Sequence, residues 1–429
     1  MEIPNTAAAK QRIVLATFGS LGDLHPYLAL ALELQARGHE AVIATSAAYR
    51  QKVEALGLGF RAVRPDAPDI EDQPALMKKL MNRWRGSEFV VRGLIMPAVR
   101  DSYEDTLAAA DGADLLISHP LTYAVPLVAQ VRQIRWISTV LSPLLFFSRY
   151  DVPRLLPAPV MSALNALGPK ACGAFIGAMK WTGRSWCAPL RQLRAELGLP
   201  PVPDPMFEGQ HSPELVLGLF SEVFGPRQPD WPTQTAITGF PFYDQEEAGA
   251  GLPSELARFL DDSPPPVVFT LGSSAVMDAG RFYEQSAEAA QQLGRRAVLL
   301  IGRDPRNLPK QPLPPGIAAF SYAPYSELFP CAAAIVHQGG VGTTAQALRS
   351  GRPMLVMPYA HDQPDNANRV VRLGVARTIS RSQYNTKRAV QELTLLLGNP
   401  AYAQKAAEVG KRIRQENGVK AACDAIEAA

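Results

Sequence analysis

Cysteine is scarce and scattered in this sequence. Its four residues, Cys172, Cys187, Cys331 and Cys423, form no C-x-x-C pair. A zinc ribbon and a secreted disulfide framework are therefore excluded, and a reducing compartment fits best. Charge of one sign is lacking too. Lys and Arg number 43 against 40 Asp and Glu, a formal net charge of +3. A dedicated nucleic-acid binder would concentrate basic charge on one face, so that class is set aside. Nowhere do 18 uncharged apolar residues run together. The longest candidate, WISTVLSPLLFFS from Trp136, is short and holds polar residues, so no membrane span is expected. The opening MEIPNTAAAKQR has no apolar segment of signal-peptide length, and a cytoplasmic location is expected. What is abundant is apolar material, 47% of 429 residues, and proline, 38 against 32 glycines. That is enough for two sizeable cores, with proline confined to loops and element ends.

Continuous β-branched runs at 12–18 (RIVLATF), 41–45, 114–118 and 135–140 predict strands buried on both faces, with helical spacing between them. Between about 200 and 266 Pro and Gly cluster (PPVPDP, GPRQPDWP, TGFPF, DDSPPP), which marks loops and an interdomain connection. Alternation then restarts, with strands expected at 267–271, 297–301, 333–336 and 354–357. The fold class expected is α/β, two Rossmann-like doubly wound domains facing across a cleft. Their bounds are read as 1–240 and 265–415, joined by 241–264. Residues 416–429 would form a C-terminal helix packing back on the first domain.

In open parallel sheets ligands bind at the C-terminal ends of strands, so three loops matter. The first, 18–26 (FGSLGDLHP), lacks G-x-G-x-x-G spacing and argues against a dinucleotide fingerprint. It carries Asp23 and His25. On the residues alone Asp23 reads first as a helix cap, with Pro26 in the first turn, and a catalytic role at the strand edge stays open. The second, 337–344 (HQGGVGTT), opens a helix. Gly339, Gly340 and Gly342 permit close backbone approach, and amides near Gly342, Thr343 and Thr344 would lie at the helix's positive end, an anion site suited to a diphosphate. It is no P-loop, since no Lys follows the last glycine; His337 could donate to a phosphate oxygen. In the third, 358–368 (PYAHDQPDNAN), Asp362 makes a good helix start. Asp362 with Gln363 offers two acceptors and an amide donor to vicinal hydroxyls, and capping leaves Gln363 unexplained.

Together these segments resemble the family 1 glycosyltransferases of GT-B fold. The resemblance spans nearly the whole chain and is most specific over about 322–368, where Y-x-P, H-x-G-G-x-G-T-T and P-x-x-x-D-Q-x-x-N-A follow in family order. The N-terminal G-S-L-G-D-L-H-P resembles a branch with sterol glucosyltransferases, glycopeptide glycosyltransferases and rhamnosyltransferases. The resemblance implies a nucleotide-sugar-binding C-terminal domain and an acceptor-binding N-terminal one. It implies that Tyr322 stacks on the nucleobase beside the Ala323 backbone. It further implies that His337, the Gly342–Thr344 turn and Ser273 hold the diphosphate, and that Asp362 and Gln363 hold the sugar. Gln346 stands where many members carry a ribose-binding Glu, which leaves UDP and dTDP open; UDP-glucose is placed first and dTDP-rhamnose second. For the base the order is Asp23, then His119 in D-L-L-I-S-H-P, then His25. Inverting displacement without a metal or other cofactor is implied, consistent with the lack of a D-x-D-like motif.

For the acceptor, an apolar stretch within 80–165 (Trp84, Phe89, Met96, Trp136, Leu144, Phe146, Phe147, Met161) reads equally as a pocket for a phenolic, sterol, polyketide or lipid alcohol and as ordinary core. The basic stretch 78–92 reads as a solvated helix face or as a weak peripheral contact with an anionic membrane. A monomer is expected. Two competing readings are a nucleotide-sugar epimerase of the same architecture and a non-catalytic nucleotide-sugar-binding protein.

Overall fold

A computed structural model describes residues 10–66, 74–154, 158–202, 204–244, 251–261 and 264–429. The first sheet is built from β1 (Arg12–Ala16), β2 (Glu40–Thr45), β3 (Gly59–Ala62), β4 (Leu115–Ser118), β5 (Arg135–Val140), β6 (Leu215–Gly218) and β7 (Thr235–Ile237). The second comprises β8 (Val267–Thr270), β9 (Ala297–Leu300), β10 (Ile317–Phe320), β11 (Ala334–His337), β12 (Met354–Val356) and β13 (Ala376–Thr378). Their orders are β3-β2-β1-β4-β5-β6-β7 and β10-β9-β8-β11-β12-β13. Every pairing between these strands is parallel. The two-faced burial inferred from the β-branched runs is present: Ile13, Leu15, Ile43 and Ile117 are buried on one face of the first sheet and Val14, Val42 and Leu116 on the other, as are Phe269 and Val268 on opposite faces of the second.

The Pro/Gly-rich stretch from 200 to 266 is more than a connection. Leu215–Gly218 and Thr235–Ile237 lie within it and extend the first sheet beyond β5. Their turn-rich flanks and short length hide them from a periodicity argument. The order reverses between β1 and β4 in one sheet and between β8 and β11 in the other, so each half has its crevice where two connections part to opposite sides.

Five helices position the site. They are α1 (Leu21–Ala36), α2 (Val341–Ser350), α3 (Gln363–Arg372), α4 (Pro400–Gln415) and α5 (Gly418–Ala428). The terminal α5 packs on α1, with Ala422, Cys423 and Ile426 joining the core of Leu24, Leu28 and Leu34. Arg37 pins it, reaching Asp424 at 2.7 Å and Glu427 at 2.6 Å.

The halves meet through α3. Arg369, 2% exposed, donates to Asp365 at 2.7 Å within its own helix and to Asp151 of the first half at 2.6 Å. Arg372 takes the other Asp151 oxygen at 2.8 Å. Burial works against these charges, yet their mutual attraction holds Asp151 below and Arg369 above its ordinary pKa. Removing one partner of such a buried pair strands the other. Arg369→Leu should therefore destabilise the chain by about 3–5 kcal/mol, measured as a fall in denaturant midpoint. A loss below ~1 kcal/mol would place the pair with ordinary surface ion pairs.

Candidate active site

The first half contributes a carboxylate and an imidazole from adjacent strands. Ala16 of β1 lies beside Ser118 of β4, so the residues that follow each strand emerge together. Ser20 caps α1, and Asp23 at the third helical position closes a capping box: its Oδ2 accepts the Ser20 N–H at 2.8 Å and the Ser20 hydroxyl at 3.1 Å. The helix thus begins earlier than the loop reading placed it. Ser20, not Asp23, is the cap, and Pro26 lies inside the helix. Gly19 makes room, since at φ +135° a Cβ there would lie 2.3 Å from Asp23 Oδ2.

The other oxygen, Oδ1, lies 3.3 Å from Nε2 of His119, the residue directly after β4. His119 Nδ1 accepts the Leu121 N–H at 3.1 Å. The neutral ring therefore carries its proton on Nε2 and donates it to Asp23. Burial raises the Asp23 carboxyl, but the hydrogen bond from His119, with the Ser20 donors, outweighs it and holds the group below the usual range. His119 is buried, whereas the Asp23 side chain keeps 32% exposure.

The second half contributes an uncapped helix end. Gly340 caps α2 without a side-chain bond, and Gly342 is exposed beneath open space. The turn after β8 touches it: at Gly272, φ +63°, a Cβ would meet Gln338 Nε2 at 2.4 Å and Thr343 Oγ1 at 3.2 Å. Ser273 of that turn is exposed. Around the helix start the buried Gln338 Oε1, Thr344 Oγ1 and Gln346 Oε1 have no protein partner among the described residues. Buried polar atoms are almost always paired, so three beside free helix amides are the mark of a polar ligand site. Tyr322 is 37% exposed after β10, and Ala323 is buried.

The loop after β12 brings Asp362 to the same cleft. It occupies the cap position of α3 but does not cap; its Oδ2 accepts from Asn366 Nδ2 at 2.7 Å instead. Burial, with the charge of Asp23 facing it, raises its carboxyl to about 7 despite the Asn366 bond. Two carboxyls within range of each other's charge are thus driven in opposite directions. His361, not singled out from the sequence, stands between the halves at φ 58° with its Nδ1 3.1 Å from Ser87 Oγ. Burial lowers its pKa, while Asp23 and the Leu80 backbone oppose that. Its position next to Asp362 was the only available signal.

The comparisons with known proteins bear on this arrangement. Residues 13–99 match the glycosyltransferase family 28 N-terminal domain, and residues 289–421 the erythromycin biosynthesis protein CIII-like C-terminal domain. The O-mycaminosyltylonolide 6-deoxyallosyltransferase of Streptomyces fradiae is 32% identical over 97% of each chain. The chain belongs to the family 1 glycosyltransferases of GT-B fold. A sterol 3-beta-glucosyltransferase of Yarrowia lipolytica is 29% identical over 98% of this chain, which spans only 29% of that longer protein. The glycosyltransferase VinC, solved in complex with dTDP, superposes with TM-score 0.66 at 20% identity, covering 97% of this chain and 98% of that one. The enzyme is a natural-product-type glycosyltransferase using nucleotide sugars. None of its helices, among the described residues, is long and apolar enough to cross a membrane.

Several expected site residues sit differently from their assigned roles. His337 is fully buried: its Nδ1 accepts the Gly339 N–H at 3.0 Å, its Nε2 faces Met354 Sδ at 3.4 Å, and burial pushes it down to about 3. It braces the glycine turn and presents no nitrogen to a phosphate. Gln363 spends its oxygen on the N–H groups of Tyr359 and Ala360, at 2.9 and 3.3 Å, so that acceptor is closed to a sugar. Gln346 donates to Asp244 at 2.9 Å. His25 packs its ring 5.0 Å from that of Tyr243. Of the apolar stretch, Met96, Trp136, Leu144 and Phe146 are buried, and Trp84 is 63% exposed.

The raised Asp362 carboxyl has a consequence for stability. Its neutral form stabilises the fold fully below about pH 4, where the unfolded chain is neutral too, and this is lost as pH rises toward 7. Asp362→Asn escapes that loss. Its stability advantage over wild type should widen by roughly 2–4 kcal/mol between pH 4 and pH 8, read from denaturant midpoints. A constant difference would mean that the folded carboxyl ionises as in water.

Proposed function

We propose that the enzyme transfers a hexose, with inversion, from a nucleoside diphosphate sugar to a hydroxyl of a small hydrophobic acceptor, and that Asp23 is the base. The observation that carries this is the tautomer of His119. With Nδ1 occupied by the Leu121 amide and the proton on Nε2, His119 has no basic nitrogen to offer, and Asp23, its side chain 32% exposed, keeps a lone pair on Oδ1. His119 then orients the carboxylate and supports it as a donor. The acceptor oxygen attacks the anomeric carbon as its proton passes to Asp23, and the bond to the diphosphate oxygen breaks. The charge released there falls on the first amides of α2, with the Thr344 and Ser273 hydroxyls beside them. No metal ion is called for in this reading. Asp362, near half-protonated at neutral pH, both accepts from and donates to sugar hydroxyls.

For the nucleoside the reading favours dTDP over the UDP placed first from the sequence. Gln346 is already committed to Asp244, so one oxygen remains where a carboxylate would clasp two ribose hydroxyls. The 6-deoxy sugar named for the Streptomyces relative and the dTDP bound in VinC agree with that preference.

Glycoside formation from UDP-glucose and dTDP-sugars with flavonoids, sterols and hydroxy fatty acids, detected by mass, tests the transfer. Asp23→Asn should lower turnover about 10²–10⁴-fold with dTDP affinity retained in calorimetry, and His119→Ala should lose less. Near-normal turnover in Asp23→Asn would remove Asp23 as base, and epimerised sugar without any glycoside would overturn transfer itself. Gln346→Glu should shift relative affinity toward UDP by about tenfold, or roughly 1.4 kcal/mol; an unchanged ratio would show that the side chain points away from the nucleoside.

A further inference from the structure

A cavity of about 400 Å³ opens between the halves, lined from the first by Arg149, Tyr150, Arg154, Met161 and Cys172 and from the second by Arg372, among others. Tyr150, Met161 and Cys172 give it an apolar side that suits a hydrophobic acceptor, but the charged groups around them do not suit a neutral one. Each nearby carboxylate is already committed. Asp151 serves Arg369 and Arg372; Asp365 serves Arg369 and the Arg154 backbone; Asp230 serves Ser148 and the Arg149 backbone. Among the described residues the Arg154 guanidinium hydrogen-bonds only the neutral Asn368 Oδ1, at 2.8 Å. The exposed Arg149 lies over the Tyr150 ring at 5.2 Å and has no carboxylate partner among the described residues. Burial and the neighbouring charge of Arg83 both disfavour the Arg154 cation, which only Asp365 opposes. A guanidinium placed so, at the edge of a cavity and without a carboxylate partner among the described residues, is completed by a bidentate anion.

The cavity's place along α3 gives the ligand's length. Asn368 and Arg372 line it, six and ten residues beyond Asp362. At about 1.5 Å per residue these lie roughly 9 and 15 Å from the carboxyl that faces Asp23. Resting on the glycosyl-transfer reading above, we propose that the cavity binds a carboxylate on the acceptor through Arg149 and Arg154. The acceptor is then an amphipathic hydroxy acid whose hydroxyl and carboxylate lie about 10–15 Å apart.

Matched probes test this. 3α-Hydroxycholanic acid and its methyl ester differ in charge and little else, and ω-hydroxy fatty acids of 8, 12 and 16 carbons vary the span. In wild type kcat/KM for the acid should exceed that for the ester about tenfold, with an optimum among the longer fatty acids. Arg149→Gln, at an exposed position, should collapse the acid-to-ester ratio through KM, and Arg149→Lys should restore part of it. Equal acid and ester, or a variant that lowers both alike, would overturn the proposal. Calorimetry of acid and ester without donor keeps the two readings apart. Acid-selective binding lost in Arg149→Gln, with no glycoside from any donor, would sustain the cavity's preference and overturn its occupant as an acceptor; binding without selectivity would overturn the cavity's role itself.

Discussion

The amide of Asn366 is the joint on which the site depends. It is fully buried and all of its bonds reach different parts of the molecule. It donates to the Gly339 carbonyl at 2.9 Å and to Asp362 Oδ2, and its oxygen accepts from Ser142 Oγ of the first half at 3.0 Å. A buried amide left without partners costs far more than each bond contributes when made. The three contacts therefore stand or fall together. Through them the glycine turn before α2, the Asp362 carboxyl and Ser142, two residues beyond β5, are fixed relative to one another. Asp362 gives up helix capping for this bond, and its raised pKa follows from the burial that the joint imposes.

The near-neutral net charge acquires a reason from the same geometry. Recognition of an anionic donor needs a strong local field, not a basic surface, and helix amides supply one without a mobile cation. Asp23 and Asp362 show how finely such a site divides charge. One carboxyl accepts from His119 and Ser20 and stays ionised; the other, in view of the first and short of donors, is held near its neutral form. Exchanging their partners would exchange their protonation, so roles follow from donors and not from residue type.

How much of this was legible in the sequence depended on how local the cause was. Runs such as Ile13–Ala16 and Val267–Thr270 announce buried parallel strands because both faces must be apolar. Leu215–Gly218, flanked by turn residues, and the three-residue β7 and β13 do not. Asp23 and His119 were readable as candidate bases through the family resemblance, and each follows a strand. That β1 and β4 are neighbours, however, is a property of the sheet. The direction in which a side chain spends its hydrogen bonds was not readable at all. His337 turns into the core because Gly339 offers it an amide, and Gln363 spends its oxygen on the turn before it. His361 matters only because the other half supplies Ser87. Met96 and Trp136 look like pocket residues by type and are core by position.

The helix α3 ties these scales together. Its first residues face the site, Asn366 joins the halves, Arg369 buries its charge between Asp365 and Asp151, and Arg372 reaches the cavity. A helix is stiff over ten residues, so none of these contacts can shift without loading the others. Opening the cleft would break the Ser142 and Asp151 contacts together, leaving Asn366 its bonds to Gly339 and Asp362 and Arg369 its bond to Asp365. The halves also share apolar packing, since Met77, Leu80 and Met81 enter the core that holds Val267 and Phe269, and the polar contacts gathered on one rigid element add to that packing.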